Sequence, residues 1–190
     1  MIEKNLKEHI DCFRDLAGLR DPILQAAKLL ADSLRQGGKI LICGNGGSAA
    51  DAQHFAAELV GRFLRDRTAL PAIALTTDTS IITAVGNDYG FADIFARQVE
   101  ALGQPRDVLI ALSTSGASTN TVHAVEAALA RQMMAIAMTG ADGGPLSTLA
   151  NITIAVPCRT TPRIQEAHCF ILHCWAGSIE AALLDQKDNG

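Results

Sequence analysis

Apolar residues fall into two patterns along this chain. Five short runs, KILICG, PAIALTT, DVLIALS, MMAIAMTG and NITIAVP, are each too short for an ordinary helix, and four of them close on Gly, Ser or Thr. Between them, segments such as SAADAQHFAAELVGRFL and NTVHAVEAALARQ repeat apolar positions at helical spacing. This alternation predicts an α/β protein, a three-layer sandwich in which a parallel sheet is covered by helices on both faces through right-handed crossovers.

Two helices are predicted ahead of the first strand. The second has Asp21 as N-cap and Pro22 at the first helical position, and closes at Gly37 and Gly38. The last segment, TPRIQEAHCFILHCWAGSIEAALLDQK, starts on Thr161 and Pro162 and is apolar nearly all round in its middle. Such a helix needs cover on several sides, from its own core or from another subunit. No repeat, low-complexity tract or linker interrupts the pattern. At 190 residues and 48% hydrophobic content, a single domain over 1–190 is expected, with leading helices in 1–37 and the α/β core in 38–190.

Charge narrows the partners. A net charge of -4, with acids and bases mixed, leaves no footprint for a phosphate backbone or an anionic membrane, so neither nucleic acid nor membrane is expected as a partner. The N-terminal MIEKNLKEHIDCF lacks the basic-then-apolar pattern of a leader, and no run of about 18 apolar residues occurs. A cytoplasmic protein is expected. Five cysteines without a CxxC pair suit a reducing compartment and read as buried thiols.

In open parallel sheets ligands collect where strands turn into helices. In the first such turn, CGNGGSAAD, glycines permit close backbone approach, and Ser48 with Asp51 resembles a capping box. Gly44, Gly46 and Ala49 also fit the dinucleotide pattern G-x-G-x-x-G/A. The ribose-binding acid expected about 20 residues on is badly placed, since Asp66 precedes the second strand and Asp78 comes late. No G-x-x-x-x-G-K-[ST] cradle is present. The second turn, LSTSGAST, sets Ser113, Thr114, Ser115 and Ser118 before a helix. Hydroxyls and backbone N–H groups there suit a phosphate monoester, against the plainer role of helix caps. The third, GNDYG, supplies Asn87 and Asp88, which suit sugar hydroxyls but read equally as an ordinary loop. On the helix after the first turn, His54 and Glu58 share one face and converge, or form a plain solvated pair. Gln165 and His173 lie eight residues apart, roughly 12 Å along a helix, so they address one small ligand from its two ends or across a subunit boundary.

Four motifs in this order, CGNGGSAADAQHFAAELVGRF, VGNDYGF, STSGAS and RIQEAHCFILH, closely resemble the sedoheptulose 7-phosphate (phosphoheptose) isomerases of the sugar isomerase (SIS) family, and the likeness runs through nearly the whole chain. The resemblance implies a five-stranded parallel, flavodoxin-like sheet. It also implies a homotetramer with active sites between subunits, to which the helices of 1–37 contribute. The implied activity is conversion of sedoheptulose 7-phosphate into D-glycero-D-manno-heptose 7-phosphate, the first step toward the heptose of lipopolysaccharide core. Carried over, Glu58 and His173 are the acid–base pair. Ser113, Thr114, Ser115 and Ser118 hold the phosphate, and Asn45, Gly46, Gly47, Ser48, Glu58, Asn87, Asp88 and Gln165 contact the substrate. The family's zinc ligands map to His54, Glu58, Gln165 and His173. This set suits zinc, although a glutamine oxygen is an uncommon partner and the spacing departs from HExxH.

A second branch of the same fold is a tetrameric partner of the replication initiator DnaA. There the positions of Glu58 and His173 hold residues unable to do this chemistry, and the glycine turn reads GNGT where this chain has GNGG. A sugar-phosphate-sensing regulator would need an appended DNA-binding region, which this sequence does not show.

Overall fold

The computed structural model describes residues 1–184. Five strands, β1 (Ile40–Gly44), β2 (Ala72–Ala74), β3 (Val108–Leu112), β4 (Met134–Thr139) and β5 (Ile152–Ala155), form one all-parallel sheet in the order β2-β1-β3-β4-β5. This is the flavodoxin-like order. Each predicted apolar run contains one strand. Side-chain alternation splits their residues between two cores. Ile40 and Ile42 join a core with Leu30, Phe55 and Trp175, while Leu41 and Cys43 join one with Phe95, Val99 and Val125. Both strand faces are thus buried, which is why the runs read as continuous rather than alternating.

Helices α1 (Ile2–Asp15), α2 (Arg20–Arg35), α3 (Gly47–Val60) and α8 (Thr161–Leu184) supply the first core. Helices α4 (Thr79–Asp88), α5 (Ala96–Leu102), α6 (Thr119–Ala130) and α7 (Leu146–Leu149) lie with the second. Helix α8 is long and apolar enough to cross a membrane by length and composition alone. Here it packs against α1, α2 and α3, buries Ile164, Ala167, Ile171, Trp175 and Ile179, and its Trp175 Nε1 donates to Ile23 O at 2.9 Å. Its own chain covers a little under half of this apolar stretch, 44% of it being buried. Residues 185–187 of the predicted segment lie outside the described residues.

Local differences have local causes. Helix α2 begins at Arg20, after Leu19, because a 3-10 turn over Leu16–Leu19 leads into it from α1, so Asp21 is not the cap. Strand β2 keeps only part of PAIALTT. It is an edge strand paired to β1 alone, and the chain turns after Leu75 N donates to Ile42 O at 2.8 Å. Helix α3 stops at Val60, and the N–H groups of Phe63, Leu64 and Arg65 bond instead to the Glu180 carboxylate on α8. The cysteines are all free, but only Cys12 and Cys43 are buried; Cys158, Cys169 and Cys174 are partly exposed.

Candidate functional site

Gly44 at the end of β1 pairs with Leu112 at the end of β3, so the glycine turn and the serine loop leave the sheet side by side. From there the chain diverges, through α3 toward β2 and through α6 toward β4. That reversal of strand order is where a crevice opens in this fold. The two loops are tied by a reciprocal amide pair. Asn45 Nδ2 donates to Asn120 Oδ1, and Asn120 Nδ2 to Asn45 Oδ1, both at 2.8 Å. Asn120, in the first turn of α6 and buried, escaped the sequence reading.

In the glycine turn, Gly46 is the N-cap of α3 with φ of 56°, a left-handed conformation that favours glycine. A Cβ on Gly47 would lie 2.5 Å from Gln165 Nε2, so a side chain there would collide with the amide that α8 brings over the turn. The expected capping box is absent. Ser48 is already inside the helix, buried, and its N–H donates to Asn45 O at 3.0 Å. Asp51 is instead turned inward, and its Oδ2 is buried without a hydrogen-bond partner among the described residues.

The serine loop gathers hydroxyls. Ser113 Oγ lies 2.9 Å from Ser118 Oγ and 3.4 Å from Ser115 Oγ, and Ala117 N donates to Ser115 Oγ at 3.2 Å. Ser118 is the N-cap of α6, yet its side chain makes no capping bond. The plain cap reading fails for it, and the hydroxyls form a neutral cup at a helix N-terminus, suited to a phosphate. Thr114, at intermediate exposure, sits in this loop, where its carbonyl accepts from Gly140 N at 3.0 Å.

Farther along α3, two helix faces meet. Asp51, His54 and Glu58 occupy one face of α3; Gln165, Cys169 and His173 occupy one face of α8. His54 Nε2 lies 2.8 Å from His173 Nε2 and 3.5 Å from Glu58 Oε1. The ligand atoms of His54, Cys169 and His173 all fall within 4.8 Å of one another. Phe63 lies flat against the His173 ring, with centroids 5.6 Å apart and planes at 17°. His54, Glu58 and His173 are therefore brought together. Gln165 sits two turns before His173, against Gly47. Asn87 and Asp88 are not in a loop but in the last turn of α4, exposed and hydrogen-bonded to each other at 2.7 Å. The helical pattern TSIITAV running into them carried that signal.

Cys169 and Asp51 carry no site signature in the sequence, although both stand at helical spacing from residues that do. Burial raises the Asp51 carboxyl's pKa, while the charges of His54 and His173 pull it back. Burial likewise raises the Cys169 thiol, helped by the carboxylates of Asp51 and Glu58. His168, five residues before His173, is the true core histidine of α8. It is fully buried, its Nε2 lies 3.1 Å from Thr139 O, and burial pushes its pKa down to about 4.

Two imidazoles and a thiol converge from two helices, with the Glu58 carboxylate beside His54, and such donors suit a borderline divalent ion such as zinc. A carboxylate and an imidazole also suit proton transfer. In the single chain His54 is exposed, and Cys169 and His173 are half-buried. A cavity of about 450 Å³ between α2 and α8, lined by Leu24, Ala27, Ala31, Ser178 and Ala182, contains none of these residues.

A family model described as the SIS domain matches residues 7–140. A phosphoheptose isomerase of Bordetella avium is 56% identical over 180 residues, covering 93% of this chain and 91% of its own length. One from Syntrophotalea carbinolica is 58% identical over 163 residues, covering 86% and 83%. Among solved structures, phosphoheptose isomerase from Neisseria gonorrhoeae superposes with a TM-score of 0.90 at 46% identity, covering 95% of this chain and 97% of that one.

Proposed function

The chain belongs to the SIS-domain family, and from its likeness to the phosphoheptose isomerases within it we propose that it is a sugar-phosphate isomerase converting sedoheptulose 7-phosphate into D-glycero-D-manno-heptose 7-phosphate. The observation that carries this reading is the meeting of Glu58 and His173 around His54, fed by an α3 that starts at the sheet's crevice. We assign this step to the start of heptose synthesis for lipopolysaccharide core.

The chemistry needs a base and an acid. One group removes a proton from C1 while the carbonyl oxygen at C2 gains one, giving the 1,2-enediol. Returning a proton to C2 as O1 loses its own yields the aldehyde. Glu58 and His173 are the pair assigned to these transfers. Ser113, Thr114, Ser115 and Ser118 grip the phosphate, which fixes the reacting carbons from a distance. Asn45, Gly46, Gly47, Ser48, Asn87, Asp88 and Gln165 are assigned to the rest of the substrate. One zinc ion per subunit is assigned to His54, Glu58, Gln165 and His173; when bound it supplies polarisation of the carbonyl.

A homotetramer with active sites between subunits is part of the proposal. Two observations support it. Ile2, Leu6 and Ile10 form an exposed apolar stripe on α1 with Phe170 also exposed, and α4, which carries Asn87 and Asp88, buries none of its residues in the single chain. The rival reading, a DnaA partner, is disfavoured by the isomerase relatives and by the presence of both Glu58 and His173.

The test is incubation of sedoheptulose 7-phosphate with the protein in deuterated water, with and without chelator. Deuterium entering C1 or C2 together with aldose formation is the expected result; neither appearing in metal-replete protein overturns the assignment.

A further inference from the structure

Helix α4 ends in Asn87 and Asp88, yet it is held loosely in the single chain. None of its residues is buried, and Ile82 and Val85 lean on the second core without being enclosed by it. After Asp88 the chain reverses at Gly90, whose φ of 107° lies in the region that favours glycine, and enters a 3-10 turn over Phe91–Asp93. Ile94 and Phe95, each 2% exposed, then fix it in the core. Asp93 therefore stands at the join between a surface helix and a fixed point.

That join is tied to α6. Asp93 Oδ1 lies 2.8 Å from His123 Nδ1, and both side chains are a little over one-third exposed. A carboxylate only accepts, so Nδ1 carries the proton and the bond forms whether the ring is neutral or charged. His123 stands five residues after Ser118, on the helix whose N-terminus holds the hydroxyl cup. The 3-10 turn packs against both α4 and α6. A pair this exposed adds little to global stability, so its effect is local. None of the proton transfers assigned to Glu58 and His173 uses it.

We propose that Asp93 and His123 are positioning residues, a clip that holds the Asn87 and Asp88 end of α4 in register with the phosphate-gripping helix α6. Both act through α4 and neither touches the substrate. This rests on the assignment of Asn87 and Asp88 to the sugar. By ordering α4 before the substrate arrives, the clip lowers the entropy lost on binding, and so shows in affinity rather than in the chemical step.

The experiment removes the bond from either side. Asp93→Ala and His123→Leu are each expected to raise KM for sedoheptulose 7-phosphate about 10-fold, the worth of one hydrogen bond, with kcat within about two-fold of wild type. The double variant should be no worse than either single one, because the bond can be lost only once. His123→Asn puts an amide nitrogen where Nδ1 stood and should restore most of the affinity. Inorganic phosphate, used as a competitive inhibitor that reaches only the cup, should keep its inhibition constant in every variant. Hydrogen–deuterium exchange reads the clip without activity: amides of residues 79–89 should exchange about 10-fold faster in Asp93→Ala, with those of β1 and β3 as in wild type. Unchanged exchange over 79–89, additive losses in the double variant, or KM and the phosphate constant rising together overturns the clip. Faster exchange at unchanged KM overturns its role in binding. Asp88→Ala then separates the causes, since a raised KM there sinks the clip alone and an unchanged one sinks the assignment of α4 to the sugar as well.

Discussion

Glu180 is the side chain whose loss should be felt most. Its carboxylate is 2% exposed and accepts from the N–H groups of Phe63, Leu64 and Arg65 at 2.9, 3.0 and 3.0 Å, and from Arg67 Nε at 3.1 Å. Arg67, 3% exposed, also donates to the Glu58 and Leu59 carbonyls at 2.7 and 2.8 Å and so closes the C-terminus of α3. Glu180→Gln keeps the volume, but its one oxygen can satisfy at most two of four donors, and its own N–H groups face the rest. Two charge-assisted bonds lost at ~1.5–3 kcal/mol each, or a buried guanidinium stripped of its counter-charge at ~3–5 kcal/mol, give the same expectation of about 3–5 kcal/mol. At ~2–4 °C per kcal/mol for a chain of this size, Tm should fall by roughly 6–20 °C. Urea unfolding of wild type and variant measures it directly. Burial alone would raise the Glu180 carboxyl's pKa, but the backbone donors and Arg67 outweigh it and hold it below the usual range. Its contribution is therefore complete above the unfolded carboxylate pKa and is lost as pH falls through the lower folded value. Replacing both partners, Arg67→Met with Glu180→Leu, should recover much of the loss, since an apolar pair leaves no orphaned charge. A loss below about 1 kcal/mol in Glu180→Gln, with an unchanged denaturant slope, would refute the argument. Because the anchored loop carries Phe63 onto His173, the same variant should also lower kcat.

The other expectations are smaller in scope. Glu58→Gln should abolish turnover while Tm stays within a few degrees; undiminished isomerisation would remove Glu58 from the chemistry. Ser113→Ala and Ser118→Ala should each lower kcat/KM for the sugar phosphate by about 10–100-fold, the value of one hydrogen bond to a charged group, measured by coupled assay. His168 titrates near its ordinary 6.5 when unfolded and at about 4 when folded. The unfolded chain thus binds the extra proton first, and stability rises with pH across that window. About 3 kcal/mol should be lost between pH 6.5 and 4, and His168→Gln should flatten this slope in urea titrations. Leu6→Glu, placed in the exposed stripe of α1, should shift the assembly toward smaller species in sedimentation, with the single-chain fold unchanged by circular dichroism.

Much of the site was readable from local pattern, and its gaps have physical causes. His54 and Glu58 announced themselves because four residues is one helical turn. Cys169 stands at that same spacing from His173, but inside CFILHCW a thiol is indistinguishable from a core residue until a facing helix is known. In sequence Asp51 reads as half of a capping box, since it follows Ser48 by three; in the folded chain its Oδ2 is buried. Asn120 has no local signature, as its partner Asn45 is 75 residues away.

What the sequence determined by itself is whatever depends on neighbours along the chain: five short apolar strands, the helices between them, and turns rich in glycine and hydroxyls. Side-chain period and chain stiffness act over a few residues, so they can be read there. The tertiary structure alone decided the strand order, the register that sets Gly44 beside Leu112, and the parallel packing of α3 against α8 that brings His54 to His173. Those outcomes come from burying two sheet faces at once, a constraint on the whole chain that no short window contains.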